Sequence, residues 1–198
     1  NRIPWKALWA HGTFRRLVLF DIILIASWTG SGVAVVPMLK ERFGIGDGEF
    51  MLVHAGFMVT SILTLVVLRA VVDRAGSKPL LSVALLVMVA HYCGWLLLAA
   101  GVLPASFWVL AFTQGSWGIV HALFVTANGR LLMQIVPAAG RSHFFAVHTV
   151  SISLASGVFP AAWGALVDLL GGVKGTVGPF LVNQFSLVYL VVLAIPFA

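Results

Sequence analysis

Gln114, His121 and Asn128 recur at intervals of seven residues. On an α-helix that interval returns side chains to nearly the same face, with Trp117 and Phe124 beside them. A neutral imidazole, two amides and an indole suit a polar organic solute better than a metal ion. The same groups also serve as bonds between packed helices, worth on the order of 1 kcal/mol each, so the spacing leaves both roles open. Asp21 is the one acid inside a long apolar stretch, a short way after Arg15 and Arg16. An ionisable group at membrane depth is costly and faces a cavity or a bundle interior. Asp21 is therefore read either as half of an interfacial salt bridge with those arginines or as a proton or substrate site. His54, His91 and His148 lie in other apolar stretches and read as packing histidines, and His143 beside Arg141 suits the headgroup region. No two histidines have ligand spacing on one helix, and no H-E-x-x-H run occurs. Nothing resembles a nucleophile elbow, a phosphate loop or an acid–base pair. An enzyme, a cofactor and a bound metal are not expected.

The elements that must carry these groups follow from where charge is missing. Asp, Glu, Lys and Arg make up only 9% of the chain, against about a quarter in soluble domains, too few to cover a water-facing surface. No charged residue occurs over 50–68, 79–129, 142–167 or 175–198. Roughly 20 helical residues cross a hydrocarbon core of about 30 Å, and continuous apolar runs of that length satisfy their backbone only as helices. The expectation is one bundle over 1–198, all-α and polytopic, with spans at about 17–39, 50–69, 79–101, 105–129, 142–167 and 180–198. Glycine- and proline-bearing connections separate them, at 44–48, 76–79, 101–104, 137–140 and 171–179. Pro79 and Pro104 suit a helix first turn, where a missing N–H costs nothing.

Single Cys93 rules out an internal disulfide or a multi-cysteine metal site. Trp5, Trp9 and Trp108 stand near span ends, where an amphipathic ring favours the interface. The net charge of +6 follows from topology and does not point to nucleic acid. Arg2, Lys6, Arg15, Arg16, Arg69, Arg74, Lys78, Arg130 and Arg141 fall on one side, and only Lys40, Arg42 and Lys174 on the other. The richer side is expected in the cytoplasm, with the amino-terminal segment. The apolar segment from Leu17 is too long for a signal peptide. A chain starting at Asn1 and stopping in an apolar run is expected to be cut from something longer.

A faint internal repeat of three spans adds to this. Val72-Asp73-Arg-Ala-Gly76 is echoed by Val167-Asp168-Leu-Leu-Gly171, and Ser27-Trp28 by Ser116-Trp117. Since three is odd, the two triplets face opposite ways across the membrane.

The stretch Arg69-Ala-Val-Val-Asp73-Arg74-Ala-Gly76-Ser-Lys78-Pro79 resembles the G-x-x-x-D-R-x-G-x-R/K signature loop of the major facilitator superfamily. Arg69 replaces the leading glycine, as is commoner in the second half of such transporters. Arg15-Arg16-Leu, Gly129-Arg130, Pro137, Arg141, Phe144-Phe145-Ala146 and Pro160-Ala-Ala-Trp-Gly164-Ala-Leu-Val-Asp168 resemble other parts of that half. The resemblance implies half of the superfamily fold: six transmembrane helices as two inverted three-helix repeats. It implies that Asp73, Arg74, Gly76 and Lys78 latch one conformation of an alternating-access cycle. It also implies that the first and fourth spans line a central path, with Trp28, Thr29 and Ser31 facing Gln114, Trp117, His121 and Asn128. On physical grounds Asp73 suits the N-terminus of a neighbouring helix, Gly76 permits a left-handed turn, and Arg74 and Lys78 alternatively serve only to set topology at anionic headgroups.

The expected function is a secondary active transporter of a small polar or amphipathic solute, present here as its C-terminal half. The expected partners are the lipid bilayer, a missing N-terminal six-helix half and an unidentified solute. The expected location is a bacterial inner (plasma) membrane. The alternative is a non-transporting structural subunit of a larger membrane complex, with other membrane subunits as partners; a membrane enzyme ranks below both.

Overall fold

The computed structural model describes residues 9–138 and 140–197; Arg2, Trp5 and Lys6 lie outside the described residues. Five long helices follow one another: α1 (Gly12–Phe43), α2 (Asp47–Ala75), α3 (Ser77–Ala99), α4 (Phe107–Ile135) and α5 (Arg141–Leu169). Each is long and apolar enough to cross a membrane. A hairpin of β1 (Lys174–Val177) and β2 (Phe180–Asn183) then leads into the shorter α6 (Gln184–Ala194), and a 3₁₀ turn follows at Ile195–Phe197.

Most helices overrun the apolar stretches that announce them. Charge ends a stretch of hydrocarbon-compatible sequence, but it does not end a helix; caps do. The His11 imidazole accepts from Phe14 N–H at the start of α1, and Gly44, left-handed at φ 65°, closes it. Gly76, at φ 77°, separates α2 from α3. Two expectations need correction. Residues 180–183 do not begin a sixth span. They pair antiparallel with β1 across the Gly178-Pro179 turn, from Lys174 opposite Asn183 to Val177 opposite Phe180. Asn183 then caps α6, its side-chain oxygen accepting from Phe185 and Ser186 N–H. Pro104 is not in a helix first turn either: α4 starts at Phe107, behind a Ser106 cap.

The helix pairing obeys one rule. α2 packs along α4 as α5 packs along α1; α3 packs on α4 as α6 packs on α1; and α3 meets α6. Exchanging α1 with α4, α2 with α5 and α3 with α6 leaves this set unchanged. That is the arrangement of two three-helix repeats, and it brings the echoed Trp28 and Trp117 into contact with ring centroids 4.9 Å apart. Each long crossing has its own small residue. A Cβ at Gly118 would lie 2.3 Å from Phe57 O on α2, and one at Gly30 would lie 2.5 Å from the Trp163 indole on α5. Lipid tails are as apolar as leucine, so close backbone approach and interhelical hydrogen bonds hold such a bundle. Thr60 Oγ1 donates to Gly115 O (2.8 Å) at the first crossing, and Trp163 Nε1 donates to Ala26 O (2.7 Å) at the second.

The largest buried cluster is built mainly from α1, α3, α4 and α6 around Met38, Tyr92, Trp95, Leu98 and Tyr189, with Val53 of α2 and Trp163 and Val167 of α5 joining it. α2 and α5 are peripheral, and α2 buries only Val53, Ser61 and Leu68. Arg15, Arg16, Arg74, Lys78, Arg130 and Arg141 gather at one end of the bundle, called here the basic end; the hairpin lies at the other.

Candidate functional site

Between α1, α2, α3 and α4 lies a cleft of about 220 Å³, lined among others by Trp28, Ser31, Gly32, His54, His91, Trp95, Gln114 and Trp117. A tight apolar gap of about 20 Å³ adjoins it, lined by Leu24, Ile25, Met88, Val120, His121 and Phe124 together with the same two tryptophans. Trp28 and Trp117, edge to face, therefore form the wall shared by a partly polar compartment and an apolar one. His121 packs edge-on against Trp28 (5.6 Å) and Phe57 (5.5 Å).

Polar side chains of the first compartment are held by neighbouring helices. Gln114 Nε2 donates to His54 Nδ1 (3.4 Å), and His54 stacks between Phe50 and Phe57. The buried His91 donates from Nδ1 to Thr113 O (2.9 Å), with Ser116 Oγ 3.1 Å away. Trp95 is fully buried, and its Nε1–H has no protein acceptor. Indole, imidazole and amide groups can stack with a flat or amphipathic solute and donate to its oxygens. No group of three or more metal-ligating side chains occurs among the described residues.

Of the residues expected on the path, Trp28, Ser31, Gln114 and Trp117 line the larger cleft, and Trp28, Trp117 and His121 the smaller. Thr29 and Asn128 line neither. Thr29 turns back on its own helix, donating to Ile25 O (2.8 Å) and Ala26 O (3.2 Å). Asn128 shares a helix face with Gln114, but two seven-residue steps move it about 21 Å along the axis. His54 and His91, expected as packing histidines, and Trp95, for which the sequence carries no expectation, also line the cleft. Only the lateral packing of α2 and α3 on α4 brings them there.

Asn128 belongs to a second site. Asp21 is 1% exposed, and its Oδ2 accepts from Asn128 Nδ2 (3.0 Å) and His148 Nε2 (2.8 Å). Asp21 thus binds neither Arg15 nor Arg16, both of which are exposed. Beside it lies a buried apolar cluster from the same three helices: Phe14, Leu17 and Val18 of α1, Leu132 of α4 with Val136 just after it, and Phe144 and Val147 of α5. Both lie in the half of α1 nearer the basic end, whereas the cleft residues run from Trp28 to Val36.

At the signature-like loop, Asp73 pairs with Arg130 of α4 (2.7 Å), not with a helix N-terminus, and its side chain is 81% exposed. Gly76 holds its positive φ with nothing within 4 Å of an added Cβ, so backbone conformation alone requires glycine there. Arg74 and Lys78 are exposed.

This is an integral membrane protein built as a bundle of paired three-helix units. The family model of the Major Facilitator Superfamily matches residues 17–198, and the chain belongs to that family. It is similar to protein spinster homolog 1 of Bos taurus, 27% identical over 140 residues, which cover 69% of this chain and 25% of the bovine protein. Against protein spinster homolog 1 of Rattus norvegicus it is 27% identical over 165 residues, 81% of this chain and 30% of the rat protein. The chain therefore spans under a third of the length of these curated relatives. No solved structure matches it.

Proposed function

We propose that the chain is the C-terminal six-helix half of a secondary active transporter that moves a small polar or amphipathic solute by alternating access. The observation that carries this is the convergence of Trp28, Ser31, Gln114 and Trp117, from the first and fourth helices, on one cleft. In folds of this type the solute site lies near the midplane between two helical units that rock against each other. A six-helix partner unit would seat on the exposed apolar faces of α2 (Met58, Ile62, Leu65) and α5 (Val150, Leu154, Val158). Asp73, Arg74, Gly76 and Lys78 act as the conformational latch, with Arg130 as the partner of Asp73. The basic end faces the cytoplasm of a bacterial inner membrane. The protein performs no covalent chemistry.

The test is uptake of a panel of radiolabelled polar and amphipathic solutes by proteoliposomes holding the full-length protein. A transported solute is expected. Gln114→Ala and His121→Ala are expected to raise its apparent KM about tenfold, the loss of roughly one hydrogen bond or ring contact. Leu123→Ala, in the packing between α3 and α4, should leave KM unchanged. Equal KM in all three variants would remove the cleft from the path. If nothing is transported and the protein isolates in a fixed ratio with other membrane subunits, the structural-subunit reading holds instead.

A further inference from the structure

We propose that Arg42 and Asn183 are positioning residues of the solute path. Through one shared acceptor, Ala99 O, they hold the α1 and α3 walls of the cleft at a fixed spacing, and this tie stays closed throughout transport. The positioning role rests on the cleft being the solute path; the tie itself does not.

The tie begins with a shortage of donors. The last carbonyls of a helix have no intrahelical N–H, and α3 ends at Ala99. The loop that follows serves the earlier ones: Gly101 N–H donates to Leu98 O (3.0 Å), and Val102 N–H to Leu97 O (2.9 Å). Ala99 and Ala100 are served from other elements. Ala99 O accepts from the Arg42 guanidinium, at the end of α1, and from Asn183 Nδ2 (2.8 Å). Ala100 O accepts from Leu181 N–H of β2 (2.9 Å). Gly101, left-handed at φ 73°, leaves the room that the Leu181 side chain occupies; a Cβ there would lie 2.8 Å from Leu181 Cδ1.

Asn183 does two jobs with one side chain. Its Oδ1 caps α6 by accepting from Phe185 N–H (3.0 Å) and Ser186 N–H (3.1 Å), which leaves Nδ2 for Ala99. Serine and aspartate also cap helices, but neither carries an amide donor, so the cap alone does not call for asparagine. Ala99 is 0% and Ala100 3% exposed. Parting the tie would take the donors from two carbonyls of buried residues, and a further helical unit seated on the bundle can only bury them more. For that reason the tie stays closed.

The tie stands at the end of the cleft away from the basic end. Val35 of α1 and Trp95 of α3 line the cleft. Arg42 follows Val35 by seven residues, which returns it to nearly the same face two turns on, and Ala99 follows Trp95 by one turn. α1 and α3 both pack on α6, so their spacing across the cleft is set through α6 and through the tie. A second layer lies further in, where Tyr189 of α6 stacks on Trp95 (6.3 Å) and its hydroxyl donates to Ser31 O of α1 (3.3 Å). With both layers in place the two walls are fixed. Without the outer one they part, and the cleft loses its fit to the solute.

Two readouts on the full-length protein, made otherwise cysteine-free, test this. For the first, spin labels at Lys40→Cys and Val102→Cys, both exposed, report the spacing of the α1 and α3 ends by pulsed electron paramagnetic resonance in lipid nanodiscs. One narrow distance is expected, and a broader or longer one in Asn183→Ser, which keeps a helix cap and loses the amide donor. Two distances with Asn183 in place, or an unchanged one in Asn183→Ser, overturns the tie. The second readout is uptake into proteoliposomes of a transported solute. Asn183→Ser and Arg42→Met are expected to raise KM several-fold at an unchanged maximal rate, and Arg42→Lys, which keeps a charged donor, to restore most of the affinity. An unchanged KM, or a loss confined to the maximal rate, overturns the positioning role. Should Asn183→Ser fail to fold, Arg42→Met decides both readouts. If no solute is transported, the transporter reading falls and the positioning role with it, while the distance measurement still decides the tie.

Discussion

Asp21 and Asp73 both bind groups far away in the chain. The partners of Asp21 stand 107 and 127 residues away, and that of Asp73 stands 57 away. An acid in an apolar run announces that it needs donors; nothing local says which. Arg15 and Arg16 are near Asp21 in sequence, but six and five helical steps of about 100° place them on other faces of α1. Asp73–Arg130 is an exposed pair, and such pairs contribute about 0–1 kcal/mol. Asp73→Asn, Arg130→Gln and the double variant are therefore expected to lose less than about 1 kcal/mol of stability by denaturant unfolding. If the pair latches the transport cycle, either single variant lowers uptake strongly, and the double variant is no worse than the poorer single one. Full uptake in Asp73→Asn at equal expression would leave the loop a topology signal only.

Among elements, the five long helices were legible because uncharged runs of this length have no other way to satisfy their backbone in lipid. Their ends were not, since helix termini depend on caps such as Asn183, Ser106 and the positive φ of Gly44 and Gly76. The hairpin was hidden for a different reason. Phe180-Leu-Val-Asn183 is as apolar as the start of a span, and only pairing with Lys174-Gly-Thr-Val177 and the Leu181 N–H bond to Ala100 O (2.9 Å) make it a strand. What holds the helices together is testable at one residue. Leucine at Gly118 must displace α2, because the first added carbon already meets Thr60 Oγ1 at 2.2 Å and Phe57 O at 2.3 Å. Overpacking of this kind costs about 1–3 kcal/mol or more. Gly118→Leu should lower the thermal midpoint by several degrees, while Gly157→Ala, where the added carbon meets nothing within 4 Å, should change it little. Equal midpoints would mean that α2 is not held by this crossing.

For the whole molecule, the exchange of α1–α3 with α4–α6 explains why a weak sequence echo has structural consequences. Trp28 and Trp117 occupy related positions beside the repeat axis, so the same pair that marks the echo divides the cleft from the apolar space. That convergence was legible from the seven-residue spacing for Gln114 and His121, and not for Asn128, because period fixes a face and not a depth. A transporter built on this half must expose its cleft to the two sides of the membrane in turn. Gly32 lines the cleft, is exposed, and has open space around an added Cβ. The direct measurement is therefore the labelling of Gly32→Cys, on a Cys93→Ala background, by a membrane-impermeant thiol reagent. It is applied to the full-length protein in sealed vesicles, from one side and then from the other. Labelling from both sides, each suppressed when the transporter is trapped facing the opposite way, is the predicted result. Labelling from one side only, or from neither, would contradict alternating access to this cleft.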